Sequence, residues 1–181
     1  MEIYKPKNDL IIESLELLSR EYPHLVFTGR VSFEAYGVIK PSDKDPHDID
    51  VLSDKFLDDS TGILTTCTTA KSDPQDVSDI LALPNHVALD VYKPCHDMEV
   101  KKFNVSKRLL VLNKKSYIDE WQITGSIVAN FHIKIAHPRY AAKAKLKYIA
   151  SDLLRLHNSN ARKRVWKHGK HLVAYLFWEM I

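Results

Sequence analysis

The hydrophobic pattern of this chain changes character at Pro138. Before that point, short β-prone runs alternate with turn signals; after it, apolar residues recur at helical spacing. A chain written in that order builds a sheet first and helices afterwards, so it is expected to form an α+β domain with helices at its C-terminal end. The expected division is an α/β core over residues 1–136 and a basic helical part over 137–181 packed on it. No fixed-period repeat or low-complexity tract interrupts this plan.

Local patterns give the order of elements. Ile11, Leu15, Leu18 and Tyr22 lie on one side of a helix over 9–22, and Asn8 is its candidate N-cap. Residues 24–28 then read as a short strand ending at Gly29, residues 30–37 as a helical turn, and 40–47 as a loop. Strands are expected at 48–53, 85–92, 107–112 and 126–135, with a turn- and threonine-rich stretch over 54–85. Beyond Pro138, Ala142, Leu146, Ile149, Leu153 and Leu156 predict one apolar helix face, with Lys143, Lys145, Lys147, Asp152 and Arg155 off it. A second helix is expected over 162–181, with the apolar run 172–178 in the core, or at a dimer seam if the chain self-associates. Trp121, Tyr36 and Tyr92 read as packing aromatics.

Composition limits the classes open to the chain. With 181 residues, 45% of them hydrophobic, and only 5 Gly and 8 Pro, it can bury a sizeable core and is neither disordered nor collagen-like. Its net charge of +3 hides a split: residues 1–133 hold 15 basic and 21 acidic residues, whereas residues 134–171 hold 11 basic residues and the single acid Asp152. Such a split points to an anionic partner. The chain shows neither the pattern of a secretory signal nor an apolar run near the roughly 20 residues of a membrane span. Cys67 and Cys95 stand alone without CxxC spacing, which suggests a reducing, cytoplasmic setting. His168 and His171 are three apart, outside any standard zinc motif.

The chemistry concentrates in Asp48-Ile-Asp50-Val. On a strand, residues two apart share a face, so both carboxylates project together while Ile49 and Val51 enter the core. Like charges held side by side suit a divalent cation, because hard ions such as Mg²⁺ prefer carboxylate and phosphate oxygen. Asp90 sits in a second apolar strand, where a lone charge is costly without a partner. A neighbouring strand carrying it would place three carboxylates together, as a two-metal phosphoryl-transfer site requires. The turn before them, Phe27-Thr28-Gly29-Arg30-Val31-Ser32, offers a glycine for close approach and Arg30 and Ser32 as donors to a triphosphate. A PD-(D/E)xK nuclease is disfavoured, since Lys93 lies three positions after Asp90 and so faces the opposite way on a strand.

Strand, Gly turn, helix, Asp48-x-Asp50 and a third acid at Asp90 resemble the minimal nucleotidyltransferase pattern of the polymerase-β superfamily, over roughly residues 24–156. The stretch from Ile133 through Lys145 to Asp152 is similar to the lysine- and aspartate-bearing helix of its AbiEii-type branch, the nucleotidyltransferase toxins of toxin–antitoxin and phage-defence systems. The resemblance implies a mixed sheet flanked by helices. It also implies an NTP substrate such as ATP, two magnesium ions on Asp48, Asp50 and Asp90, and phosphate contacts from Gly29, Arg30, Ser32 and Lys145 with Asp152 nearby. The implied reaction moves a nucleoside monophosphate to a hydroxyl of RNA, tRNA, protein or a small molecule and releases pyrophosphate. The alternative is an inactive member of the fold acting as an antitoxin, regulatory partner or RNA binder. Lys143, Lys145, Lys147 and the basic residues 162–170, with Tyr148 and Trp166 among them, are either a nucleic-acid grip or a pair of solvated helix faces.

Overall fold

The computed structural model describes residues 2–55, 57, 62–66, 77–94, 96–114 and 121–181, with side chains left aside at 66, 77–79, 108–114 and 121–126. Cys67 and Cys95 lie outside the described residues, as does the side chain of Trp121. The chain is α+β: one mixed sheet with helices, two of which follow the last strand. No helix among the described residues is long and apolar enough to cross a membrane.

The first elements follow local rules. Strand β1 is Glu2–Tyr4, and helix α1 spans Asp9–Glu21. The Asn8 side chain caps α1 by accepting from the Ile11 N–H at 3.1 Å, while its own Nδ2 donates to the Asp43 carbonyl and to Asp45 Oδ1, each at 2.9 Å. One cap therefore also anchors the irregular 40–47 loop ahead of the acid pair. Ile11, Leu15 and Leu18 are buried against the sheet.

Strand β2, Val26–Phe27, leads through Thr28 into α2, Gly29–Ala35, and then β3, Asp48–Leu52. Short strands β4, Thr65–Thr66, and β5, Val77–Ala82, lie within the stretch expected to be turns, and β6 follows at Ala88–Tyr92. That strand starts three residues later than its pattern suggests. A tight turn occupies its expected start, closed by His86 N–H to the Leu83 carbonyl at 2.9 Å, with His86 at φ 63°. Strands β7, Val100–Lys114, and β8, Trp121–Ala136, form a hairpin far longer than their apolar cores at 107–112 and 126–135. The sheet order is β1-β7-β8-β2-β3-β6-β5-β4.

Helices α3, Pro138–Leu153, and α4, Ser159–Glu179, complete the chain. The apolar face expected on α3 is buried only in part, at Ala142 and more weakly at Ile149. Leu146 is 60% exposed, Leu153 50% and Leu156 42%, while Ala141, Ala142, Lys145 and Asp152 turn inward. Two small alanines let neighbouring elements approach closely, and buried Asp152 has a guanidinium partner that offsets its desolvation. Two cores result: Ile49, Val51, Leu89 and Val91 pack with α1 on one face of the sheet, and Phe33, Val38, Ala141, Ala142 and Tyr175 join α2, α3 and α4. Part of the apolar run 172–178 serves the second core, although Val173, Leu176 and Phe177 stay more than half exposed.

Candidate functional site

Along β3 and β6 the burial alternates as strand geometry requires. Ile49, Val51, Leu89 and Val91 are buried, Asp48 is exposed, and Asp50, Asp90 and Tyr92 are half-buried. The two strands pair in parallel with Asp48 opposite Ala88 and Asp50 opposite Asp90. Side chains at matched register share a face, so Asp48, Asp50, Asp90 and Tyr92 all project from the same side of the sheet. Burial, and then the charge of Asp48, push the Asp50 carboxyl above its ordinary range. Lys145, a hydrogen bond from the Tyr92 hydroxyl, and Lys167 act in the opposite direction.

Gly29 is fitted to this carboxylate. The β2–β3 ladder continues through Thr28 N–H to the Asp50 carbonyl at 3.0 Å, which brings the next residue against the Asp50 side chain. A Cβ at Gly29 would lie 1.7 Å from Asp50 Oδ2, and the residue has a φ of +59°. Only glycine satisfies both conditions. The neighbouring donors are used elsewhere. Arg30 Nε donates to Glu34 Oε1 at 2.7 Å and its Nη2 to the Ser42 carbonyl at 3.2 Å, while fully buried Ser32 donates its hydroxyl proton to the Ala136 carbonyl at 2.6 Å. Their first duty is to fasten α2 to the 40–47 loop and to the end of β8.

The opposite wall comes from α3 and α4. Lys145 is only 9% exposed, and its ammonium stands 5.5 Å from the Phe33 ring centroid. Burial lowers its pKa and Asp50 opposes that, with Lys167 lowering it further and Asp48 raising it. Asp152, two turns along α3, is held by Arg164 through Nε to Oδ2 at 2.8 Å and Nη2 to Oδ1 at 2.6 Å, which keeps its carboxyl below the ordinary range. Asp152 therefore ties α3 to α4. No family model, curated protein or solved structure matches the chain.

Further residues surround the acids. The Tyr92 hydroxyl meets that of Tyr148 at 3.3 Å, Tyr148 stacks on His168 with centroids 5.6 Å apart, and His171 packs against Phe33 at 5.8 Å. Burial first, and then the charges of Lys145 and Lys167, push both imidazoles down to about 4. Sequence reasoning reads Tyr92 as a packing aromatic and places Tyr148 only within a nucleic-acid grip, so neither is assigned to the acids. The available signal was that Tyr92 shares the strand face of Asp90, and that Lys167, His168 and His171 share one helix face.

Proposed function

We propose that this protein is a Mg²⁺-dependent nucleotidyltransferase with the minimal nucleotidyltransferase fold of the polymerase-β superfamily, akin to its AbiEii-type toxin branch and working in the cytoplasm. One observation carries the reading: Asp50, crowded by Asp48 on its own strand and level with Asp90 on the next, shares its field with a buried lysine. Perturbed, opposed charges gathered at one place on a fold are characteristic of sites that do chemistry.

Among the described residues, no three His, Cys, Asp or Glu side chains already stand as a metal cage. The fit to Mg²⁺ therefore rests on donor chemistry: Asp50, raised first by burial and then by the charge of Asp48, belongs to an all-carboxylate set of the kind a hard divalent ion neutralises. Asp48 and Asp50 would hold the ions, with Asp90 completing the set. When bound, the ions offset charge on the triphosphate and favour ionisation of the acceptor hydroxyl.

The chain's own residues supply the rest. Asp90 takes the proton as the acceptor oxygen bonds to the α-phosphorus and the bond to pyrophosphate breaks. Lys145 offsets phosphate charge, and Gly29 keeps Asp50 in place. Positioning and charge neutralisation are the catalytic means. The acceptor hydroxyl belongs to an RNA or tRNA end, a protein or a small alcohol.

A second reading, an inactive module acting as an antitoxin, regulatory partner or RNA binder, has a specific observation in its favour. Arg30 and Ser32, two of the expected phosphate contacts, are engaged in holding the fold. Incubation with each labelled NTP, Mg²⁺ and the candidate acceptors separates the two. The transferase reading expects label transfer that disappears in Asp50→Asn; transfer that survives this change, or RNA binding with no response to any NTP, would favour the second.

A further inference from the structure

The basic side of the site contains more unpaired capacity than the fold uses. Lys145 is nine-tenths buried, yet it makes no ion pair or hydrogen bond among the described residues. An ammonium in that position is costly unless something compensates it. Lys167 lies exposed at the rim of α4, also without an ion pair among the described residues, and its charge bears on Lys145 and on Asp50. His168 and His171, one and four positions further along α4, are half-buried, with their Nδ1 atoms buried and without partners. Asp152, the one acid within residues 134–171, is taken by Arg164.

Contacts join these groups into one cluster. His171 and the Lys145 ammonium pack on the same Phe33 ring, and His168 stacks on Tyr148, whose hydroxyl meets Tyr92 beside Asp50. Two lysines and two imidazoles thus stand together beside the acids, with no ion pair to any of them among the described residues. A helix merely facing solvent would spread its charges apart or pair them at i,i+4 with acids.

We propose that Lys145 together with Lys167, His168 and His171 of α4 forms a subsite for a polyphosphate chain, holding the β- and γ-phosphates of the nucleotide beside the acids. The assignment rests on the nucleotide-transfer reading for the origin of the phosphates, while the shared chemistry is closely spaced phosphate oxygens. A polyphosphate places several such oxygens within the span of one cluster, matching charge-assisted bonds from lysine and N–H donation from imidazole. A nucleic-acid backbone spaces its phosphates more widely, one per nucleotide.

Calorimetry of the full chain with inorganic tripolyphosphate in EDTA tests the subsite without metal or turnover. Wild type should bind, and Lys167→Ala and the double change His168→Gln/His171→Gln should each weaken binding about tenfold, the value of one charge-assisted contact. Melting curves establish that the variants are folded, and Lys167→Ala alters an exposed side chain. A single-stranded RNA decamer titrated in parallel should be affected less. Failure of wild type to bind tripolyphosphate, unchanged affinity in folded variants, or a loss confined to the decamer would each overturn the proposal. Asp50→Asn separates this outcome from that of the transferase reading. It should abolish transfer but bind tripolyphosphate at least as well as wild type, because it removes a negative charge from the neighbourhood. Tripolyphosphate binding that responds to the α4 variants in a protein with no transfer activity would uphold the subsite and refute the transferase.

Discussion

At the scale of single residues, Gly29 and Asp50 form one structural unit. Alanine at 29 would have to adopt φ +59° and place its Cβ 1.7 Å from Asp50 Oδ2. The left-handed backbone alone costs about 1–2 kcal/mol, and the carboxylate must also move. Gly29→Ala is expected to lose at least that much stability in urea melts and to lose nucleotide transfer; a variant as stable as wild type would show that Asp50 is not seated against this turn. Asp50 itself is held at a cost. Its carboxyl is raised above its ordinary value, so the native state binds a proton more tightly than the unfolded chain and stability falls as pH rises through the interval between the two values. Asp50→Asn should therefore melt higher than wild type at neutral pH, with the difference shrinking as pH falls below that interval. A lower melting point for Asp50→Asn at pH 7 would contradict the assigned environment. The shared face of Asp48 and Asp50 was legible because a strand's period of two fixes which side a residue takes. Arg30 pairs with Glu34 one turn further on, a local contact, but the role of Ser32 was not legible. Ser32 donates to Ala136, 104 residues away, a contact that no local pattern encodes.

At the scale of elements, α3 is the instructive case. Its leucines outline an apolar stripe, yet the helix buries Ala141, Ala142, Lys145 and Asp152 and leaves Leu146 and Leu153 in solvent. Periodicity ranks faces by transfer free energy and takes no account of a buried carboxylate met by a bidentate guanidinium or a lysine facing acids on the sheet. The long β7–β8 hairpin was underestimated for a related reason. Polar residues such as Lys101, Lys102, Asn104 and Ser106 break the apolar run, but pairing between the two strands, and with β1, satisfies their backbone groups. The joint between α3 and α4 gives a measurable expectation. Asp152 is lowered by Arg164, so its contribution is complete above its unfolded value and is lost as pH falls through the lower folded one. Arg164 is 42% exposed, so solvent discounts the pair, and Arg164→Ala should cost about 1–2 kcal/mol at neutral pH. Below the folded value of Asp152 the variant and wild type should converge. A difference that persists unchanged in acid would assign Arg164 a packing role instead.

At the scale of the whole molecule, the charge split acquires a spatial meaning. Acids numbered 48 to 90 and basic groups numbered 145 to 171 are far apart in the chain, yet the sheet order puts β3 beside β6 and the C-terminal helices bring Lys145 and Lys167 within the field of Asp50. Composition showed that the two halves differ; only the topology shows that they meet. The meeting leaves a repulsive group of carboxylates on one side, and this predicts how the entire fold responds to a divalent ion. An ion that binds the folded state alone stabilises it by mass action, by about 2.7 kcal/mol at one hundred times its dissociation constant, a rise of roughly 5–10 °C for a chain of this size. Mg²⁺ should raise the melting temperature of wild type beyond what KCl of equal ionic strength does, and EDTA should reverse the rise. The ionic-strength control is needed because an acidic surface gains some stability from screening alone. Asp48→Asn and Asp50→Asn should lose most of the Mg²⁺ response, although Asp50→Asn starts from a higher melting point because a buried repulsion has gone. These two effects of one substitution have opposite signs, so general destabilisation cannot mimic them. If Mg²⁺ shifts Asp50→Asn as far as it shifts wild type, the ion binds elsewhere on the acidic surface, and the three carboxylates of β3 and β6 are not its ligands.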